Sequence, residues 1–80
     1  MVRFSKHLTD EMERRGILRS YIEAALAAPE RITPDAVDPM LTRSFKVIRE
    51  FGNRVLRVVH RPDGADIFVV RAHWDRGARL

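Results

Sequence analysis

The chain has 80 residues, with 15 Lys+Arg against 11 Asp+Glu, 45% hydrophobic residues and no cysteine. That length holds one domain and buries only about 60–65% of its unfolded surface, so a site must lie on a face or in a shallow groove, and a two-domain enzyme with a large interior cleft is excluded. Without cysteine there is no disulfide, thiolate nucleophile or cysteine-based metal cage.

No apolar run reaches the ~18–20 residues of a membrane span, and the opening MVRFSKHLTDEMERR interleaves charge with apolar residues, unlike a secretory signal; a soluble, cytoplasmic domain with no membrane partner is expected. The charge is uneven. Residues 1–42 carry 6 basic and 7 acidic groups, net −1, whereas residues 43–80 carry 9 basic and 4 acidic groups, net +5. Arginine outnumbers lysine 13 to 2, which suits forked contacts with phosphate.

In chain order, Val2–Ser5 reads as a short extended lead-in. Phe4, Leu8 and Met12 recur every four residues and predict one apolar stripe of a helix that Gly16 ends in a left-handed cap. Ser20-Tyr21-Ile22-Glu23 has capping-box spacing and predicts a second helix with Ile22, Ala25 and Leu26 inward, stopped by Pro29. Between Ala28 and Thr42 periodicity vanishes, and Pro29, Pro34 and Pro39 mark an irregular loop.

Strands follow. Ser44–Phe51, Arg54–Arg61 and Ala65–Trp74 are separated by the turn signals Gly52-Asn53 and Pro62-Asp63-Gly64. The whole predicts an α+β fold: a short N-terminal strand, two helices, then a three-stranded antiparallel meander. As a single domain it divides into a helical layer 5–28, a Pro-containing loop 29–42, a sheet 43–74 and a basic tail 75–80.

Period-two alternation assigns faces. Phe68, Val70, Ala72 and Trp74 are expected against the helices, as are Phe45, Val47 and Phe51; Ile67, Val69, Arg71 and His73 are expected opposite. Lys46, Arg57, Arg71 and His73 then collect on the open sheet face, an arrangement that suits a polyanion. Arginine can stabilise charge developing on a phosphate, histidine can move a proton near pH 7, and RNA brings its own 2′-hydroxyl nucleophile. The competing reading is a solvated basic face.

His60 shares its face with Leu56 and Val58 and reads as a half-buried, hydrogen-bonded histidine; Trp74 reads as a core anchor. His7, His60 and His73 lack ligand spacing, so neither a metal site nor a cofactor is expected, and no serine has the neighbours of a hydrolase triad.

The strand–two helices–meander order resembles the RelE/ParE-like toxins of bacterial toxin–antitoxin modules. The chain is most similar to a family of small RelE-like bacterial proteins with a His-Ala-x-x-Arg-Met-x-x-Arg-Gly-Ile opening, matched here by His7-Leu8-Thr9-Asp10-Glu11-Met12-Glu13-Arg14-Arg15-Gly16-Ile17. The stretches Phe45–Ile48, Gly52–Val59 and Val69–Arg76 also fit, and the chain resembles BrnT toxins in the same region. Glu11 departs from the pattern, standing where the family shows Arg.

The resemblance implies RNA as target, including ribosome-bound mRNA, a metal-independent endoribonuclease as the enzyme class, and an antitoxin as protein partner. It also assigns Arg54 and Arg76 to the family's basic positions and His7 to its opening histidine. Combined with the open face, the expected roles are His73 as acid/base with Arg76 and Arg54 at the scissile phosphate, and Lys46, Arg57, Arg71 and His7 on the remaining RNA. The alternative is a non-catalytic interaction module: a homodimer, or a domain that docks an antitoxin-type or gyrase-type partner.

Overall fold

In the computed structural model, which describes all 80 residues, the expected helical stripe is realised in helix α1 (Leu8–Arg15), which follows strand β1 (Val2–Phe4) and buries Leu8 and Met12. Asp10 and Glu11 near its start and Arg14 and Arg15 near its end complement the helix dipole. Gly16 closes it at φ +69°, and Ile17 N donates to Met12 O at 2.9 Å.

Helix α2 (Arg19–Ala27) starts one residue before Ser20, so the expected capping box does not form. Leu18 is the cap residue, its carbonyl accepting from Tyr21 N at 3.0 Å. Glu23 is instead drawn to Arg19, one turn earlier, at 3.2 Å.

The segment expected to be an irregular loop holds a strand, β2 (Arg31–Pro34), paired antiparallel with β3 (Thr42–Ile48). β2 is an edge strand, the position in which a sheet tolerates Pro34. β3 stops at Ile48, three residues before the predicted end, because Arg49–Phe51 coil into a 3₁₀ turn. Gly52 and Asn53, both at positive φ, then lead into β4 (Arg54–Asp63), and Gly64 at φ +62° opens the two-residue loop to β5 (Asp66–Trp74).

The sheet order is β1-β5-β4-β3-β2, mixed only because β1 runs parallel to β5. The α+β class and element order match the sequence reading, with β2 added.

Both helices cover one face. Leu8, Met12, Ile17, Ile22 and Ala25 meet Ile48, Leu56, Val58, Val69 and Ala72 in a single core. No helix is long and apolar enough to cross a membrane.

Two shifts of register change the expected faces. Opposite Val59 and His60, strand β5 carries one extra residue, Val70, between Arg71 and Val69. The bulge puts Ile67 and Val69 on the helical side with Ala72 and Trp74, and sends Phe68 to the open side beneath the Arg61 guanidinium, 4.7 Å from its ring centre. In β3 the alternation is inverted. Ser44, Lys46 and Ile48 share the helical side with their partners Val58, Leu56 and Arg54, while Phe45 and Val47 lie on the open side. Phe45 is nonetheless buried, as are its open-side neighbours Val59 and Leu41, so apolar residues on β3 do not mark a single inner face.

Candidate nucleic-acid interface

Cross-strand pairing sets two rows on the open face: Arg43–Val59–Arg71, and Arg31–Phe45–Arg57–His73. Arg57, Arg71 and His73 therefore come together. Lys46 does not. Its inverted register turns it to the helical side, where Nζ donates to Ala28 O at 3.1 Å.

Within the second row, Arg57 Nε donates to His73 Nε2 at 2.8 Å, with Arg57 Nη2 also against that nitrogen. A guanidinium has only donors, so Nε2 is the acceptor and the ring proton of the neutral imidazole falls on Nδ1. Burial lowers the His73 pKa from its ordinary 6.5, and Arg57, Arg15 and Arg71 press it further down against the opposing pull of Asp75.

Three of the sheet-face arginines, Arg43, Arg57 and Arg71, have a carboxylate neighbour, whereas Arg31 and Arg61 on the same face donate only to backbone carbonyls. Asp35 Oδ1 lies 3.0 Å from Arg43 Nε and 3.9 Å from Arg71 Nη2, while Asp75 Oδ2 lies 3.6 Å from Arg57 Nη1. Asp35 is the anchor of the 35–41 loop. Its Oδ2 accepts from Asp38 N at 3.0 Å and Val37 N at 3.1 Å, and these amides, followed by Arg43, lower its pKa from 3.8 to about 2. Sequence reading missed both aspartates as arginine partners. Their only signal was an acid beside a proline in a loop and another directly after the last strand.

Two of the cations without a carboxylate partner, a set that also includes Lys6, Arg31, Lys46, Arg49, Arg61 and Arg79, meet at the end of the sheet near Gly52-Asn53. Arg54 and Arg76, with Asn53, Val55, Asp75 and Ala78, line a groove of about 450 Å³, and neither arginine forms an ion pair. Arg54 begins β4 opposite Ile48, away from the Arg57–His73 row. Its guanidinium lies 5.4 Å from the Trp74 ring and 5.6 Å from that of Phe51, two rings stacked at 4.4 Å and within 7° of parallel. Trp74 Nε1 donates to Arg15 O at 2.8 Å and fixes this aromatic shelf to the end of α1.

His7 sits at the cap position of α1 with no side-chain capping bond. It joins Arg71 only across a shallow groove that also includes Ser5, Glu11 and Val70. Glu11, the departure from the resembled pattern, pairs with Arg15 at 3.0 Å and Arg14 at 3.3 Å, so it neutralises cations on its own helix. His60, as expected, is half-buried and satisfied, its Nε2 2.7 Å from buried Ser44 Oγ. No three His, Asp or Glu side chains converge as a metal cage requires.

The arrangement offers one groove with two unpaired arginines, one of them stacked on a fixed aromatic pair, beside an Arg–His–Asp cluster in which the histidine is a neutral acceptor. Such a groove can hold an oxyanion. No curated protein and no solved structure matches the chain significantly. A family model described as "Domain of unknown function (DUF4258)" matches residues 4–74, from the end of β1 to the end of β5. The match takes in both helices and every strand that shapes the groove, and the chain belongs to the DUF4258 family.

Proposed function

We propose that this chain is a RelE-like, toxin-derived domain that binds single-stranded RNA. The observation that carries the reading is the groove where Arg54 and Arg76 stand without carboxylate partners, Arg54 already spread over the Trp74–Phe51 stack. A guanidinium held on aromatic rings loses little freedom on meeting a phosphate, and the aromatic end of a strand is the usual company of an RNA base. The phosphate contacts thus centre on the end of the sheet, next to Arg57, rather than on the face where Asp35 pairs closely with Arg43 and lies beside Arg71.

Binding is favoured over strand cleavage. The Nε2 atom that His73 would offer as a base is occupied by Arg57, which leaves Nδ1–H as a donor toward RNA. An antitoxin-type partner with an acidic segment would compete for the same groove.

A second reading, a protein-docking module, is favoured by one observation: the 35–41 loop, fixed by Asp35, holds Val37 and Met40 90% and 74% exposed.

Fluorescence anisotropy with a labelled oligouridylate of about 12 nucleotides, a length within the span of single-strand-binding modules, tests the proposal. Arg54→Ala/Arg76→Ala should weaken binding, and the slope of log K against log salt should flatten by about 1.4 if each arginine meets one phosphate. Absence of wild-type binding even at low salt removes the RNA reading. Induced expression with mapping of RNA 5′ ends separates binding from cleavage.

A further inference from the structure

Asp75 lies inside the groove that the RNA reading assigns to phosphate, as its one carboxylate among Arg54, Arg76 and the adjoining Arg57. Its two oxygens do different work. Oδ1 accepts from Gly77 N at 3.0 Å and Ala78 N at 3.1 Å and so bends the tail; Oδ2 faces Arg57 Nη1 at 3.6 Å. The bent tail then returns over the open face, where Arg31 Nη2, at the far end of the Arg57 row, donates to Arg79 O at 2.6 Å.

We infer that Asp75 is a built-in competitor for phosphate: RNA binds by displacing its carboxylate from Arg57, and the turn that Asp75 organises opens when it does so. This rests on the RNA reading above.

The exchange at Arg57 replaces one anion by another. A phosphodiester carries one negative charge, as the Asp75 carboxylate does, and one of its free oxygens takes the place of Oδ2 at Arg57 Nη1, the edge of the guanidinium that His73 leaves open. The balance is then set by Arg54 and Arg76, which have no internal carboxylate and gain an anion only from the ligand. The 3.6 Å separation is longer than the roughly 2.7–2.9 Å of a tight charge-assisted bond, so little is lost when the carboxylate leaves. The Asp75 charge opposes any phosphate that enters without displacing it. Affinity is thereby restrained by a residue that is not a cation.

Asp75→Asn tests the inference, since its carbonyl oxygen retains the bonds from Gly77 and Ala78 while the charge is removed. In anisotropy with the same labelled oligouridylate at low salt, the variant should bind roughly two- to fivefold tighter, the size of one partly screened charge. A second measurement needs no variant. Backbone amide exchange at Gly77 and Ala78 in the wild-type protein should accelerate when the oligonucleotide saturates it. Wild-type binding with Asp75→Asn equal or weaker, or with those amides equally or better protected in the complex, overturns the inference and leaves the RNA reading standing. A wild-type protein that does not bind overturns both.

Discussion

Across the β4–β5 ladder Arg57 and His73 are direct partners, and the arginine donates to the histidine rather than sharing a carboxylate with it. A proton on Nε2 would collide with the guanidinium hydrogens, so protonation of His73 requires the pair to separate. Burial, then the charges of Arg57, Arg15 and Arg71, hold the ring neutral below its ordinary 6.5.

The His73 ring should therefore titrate with a midpoint below 6.5 in a histidine-resolved NMR experiment. Arg57→Gln should raise that midpoint, while burial keeps it under the ordinary value. The sign for stability follows. A folded state that resists the proton lets the unfolded chain take it first, so this stabilisation is complete above 6.5 and is lost as pH falls through the lowered folded value. His60, lowered by burial alone, acts in the same direction. The thermal midpoint should fall on going from pH 7 toward pH 5; a midpoint that rises contradicts the Arg57–His73 geometry.

Asp35 sets the next acid limb. Its pKa falls from 3.8 to about 2 through the amides of Asp38 and Val37 and then Arg43, so its contribution is present above pH 3.8 and is lost as pH approaches 2. Asp35→Ala removes the acceptor for two loop amides and the partner of Arg43. The variant should melt at lower temperature, exchange the Val37 and Asp38 amides faster, and lose the destabilisation between pH 4 and pH 2 that belongs to this carboxylate. Freed of Asp35, Arg43 and Arg71 should also steepen the salt dependence of RNA binding by as much as about 1.4, two phosphates' worth.

The class of the fold was legible because its signals are local. The Leu8–Met12 spacing, Gly16, Pro29 and the two glycine turns each act through their own backbone. What failed depended on neighbours distant in sequence. An edge strand as short as β2 has no alternation to read and exists because β3 offers it a ladder. The phase of β3 was inverted because Phe45 is buried on the open side while Ile48 is buried on the other, so burial alone does not reveal the inner face. The bulge at Val70 divided β5 so that Ala72 and Trp74 lay where expected and Val69 did not. Arg57, Arg71 and His73 kept their common face because all three lie on the same side of that bulge. Lys46 lost its place with the β3 phase.

Gly16 and Gly64 separate backbone strain from steric fit. Both have positive φ, at +69° and +62°, and a Cβ at either costs about 1–2 kcal/mol in the left-handed region. At Gly64 the added atom meets open space, whereas at Gly16 it arrives 3.0 Å from Phe51 Cε1. Gly16→Ala should therefore destabilise more than Gly64→Ala in denaturant unfolding. It should also weaken RNA binding, since Phe51 must move and the shelf under Arg54 moves with it. Equal effects on stability would mean that the aromatic pair yields freely.

Trp74 joins the fold to the groove through two separable features of its ring. Phenylalanine at this position keeps an aromatic face against Phe51 and under Arg54 but loses the Nε1–H that donates to Arg15 O, a cost of about 1 kcal/mol in unfolding. Leucine loses that bond and the aromatic face together. The cation–π contribution to holding Arg54 is about 0.5–1 kcal/mol, equivalent to a two- to fivefold change in affinity. Trp74→Phe should thus lower stability with little effect on oligouridylate affinity, and Trp74→Leu should lower both. If the two variants bind RNA equally well, Arg54 does not need the shelf, and the groove's preference for phosphate comes from charge alone.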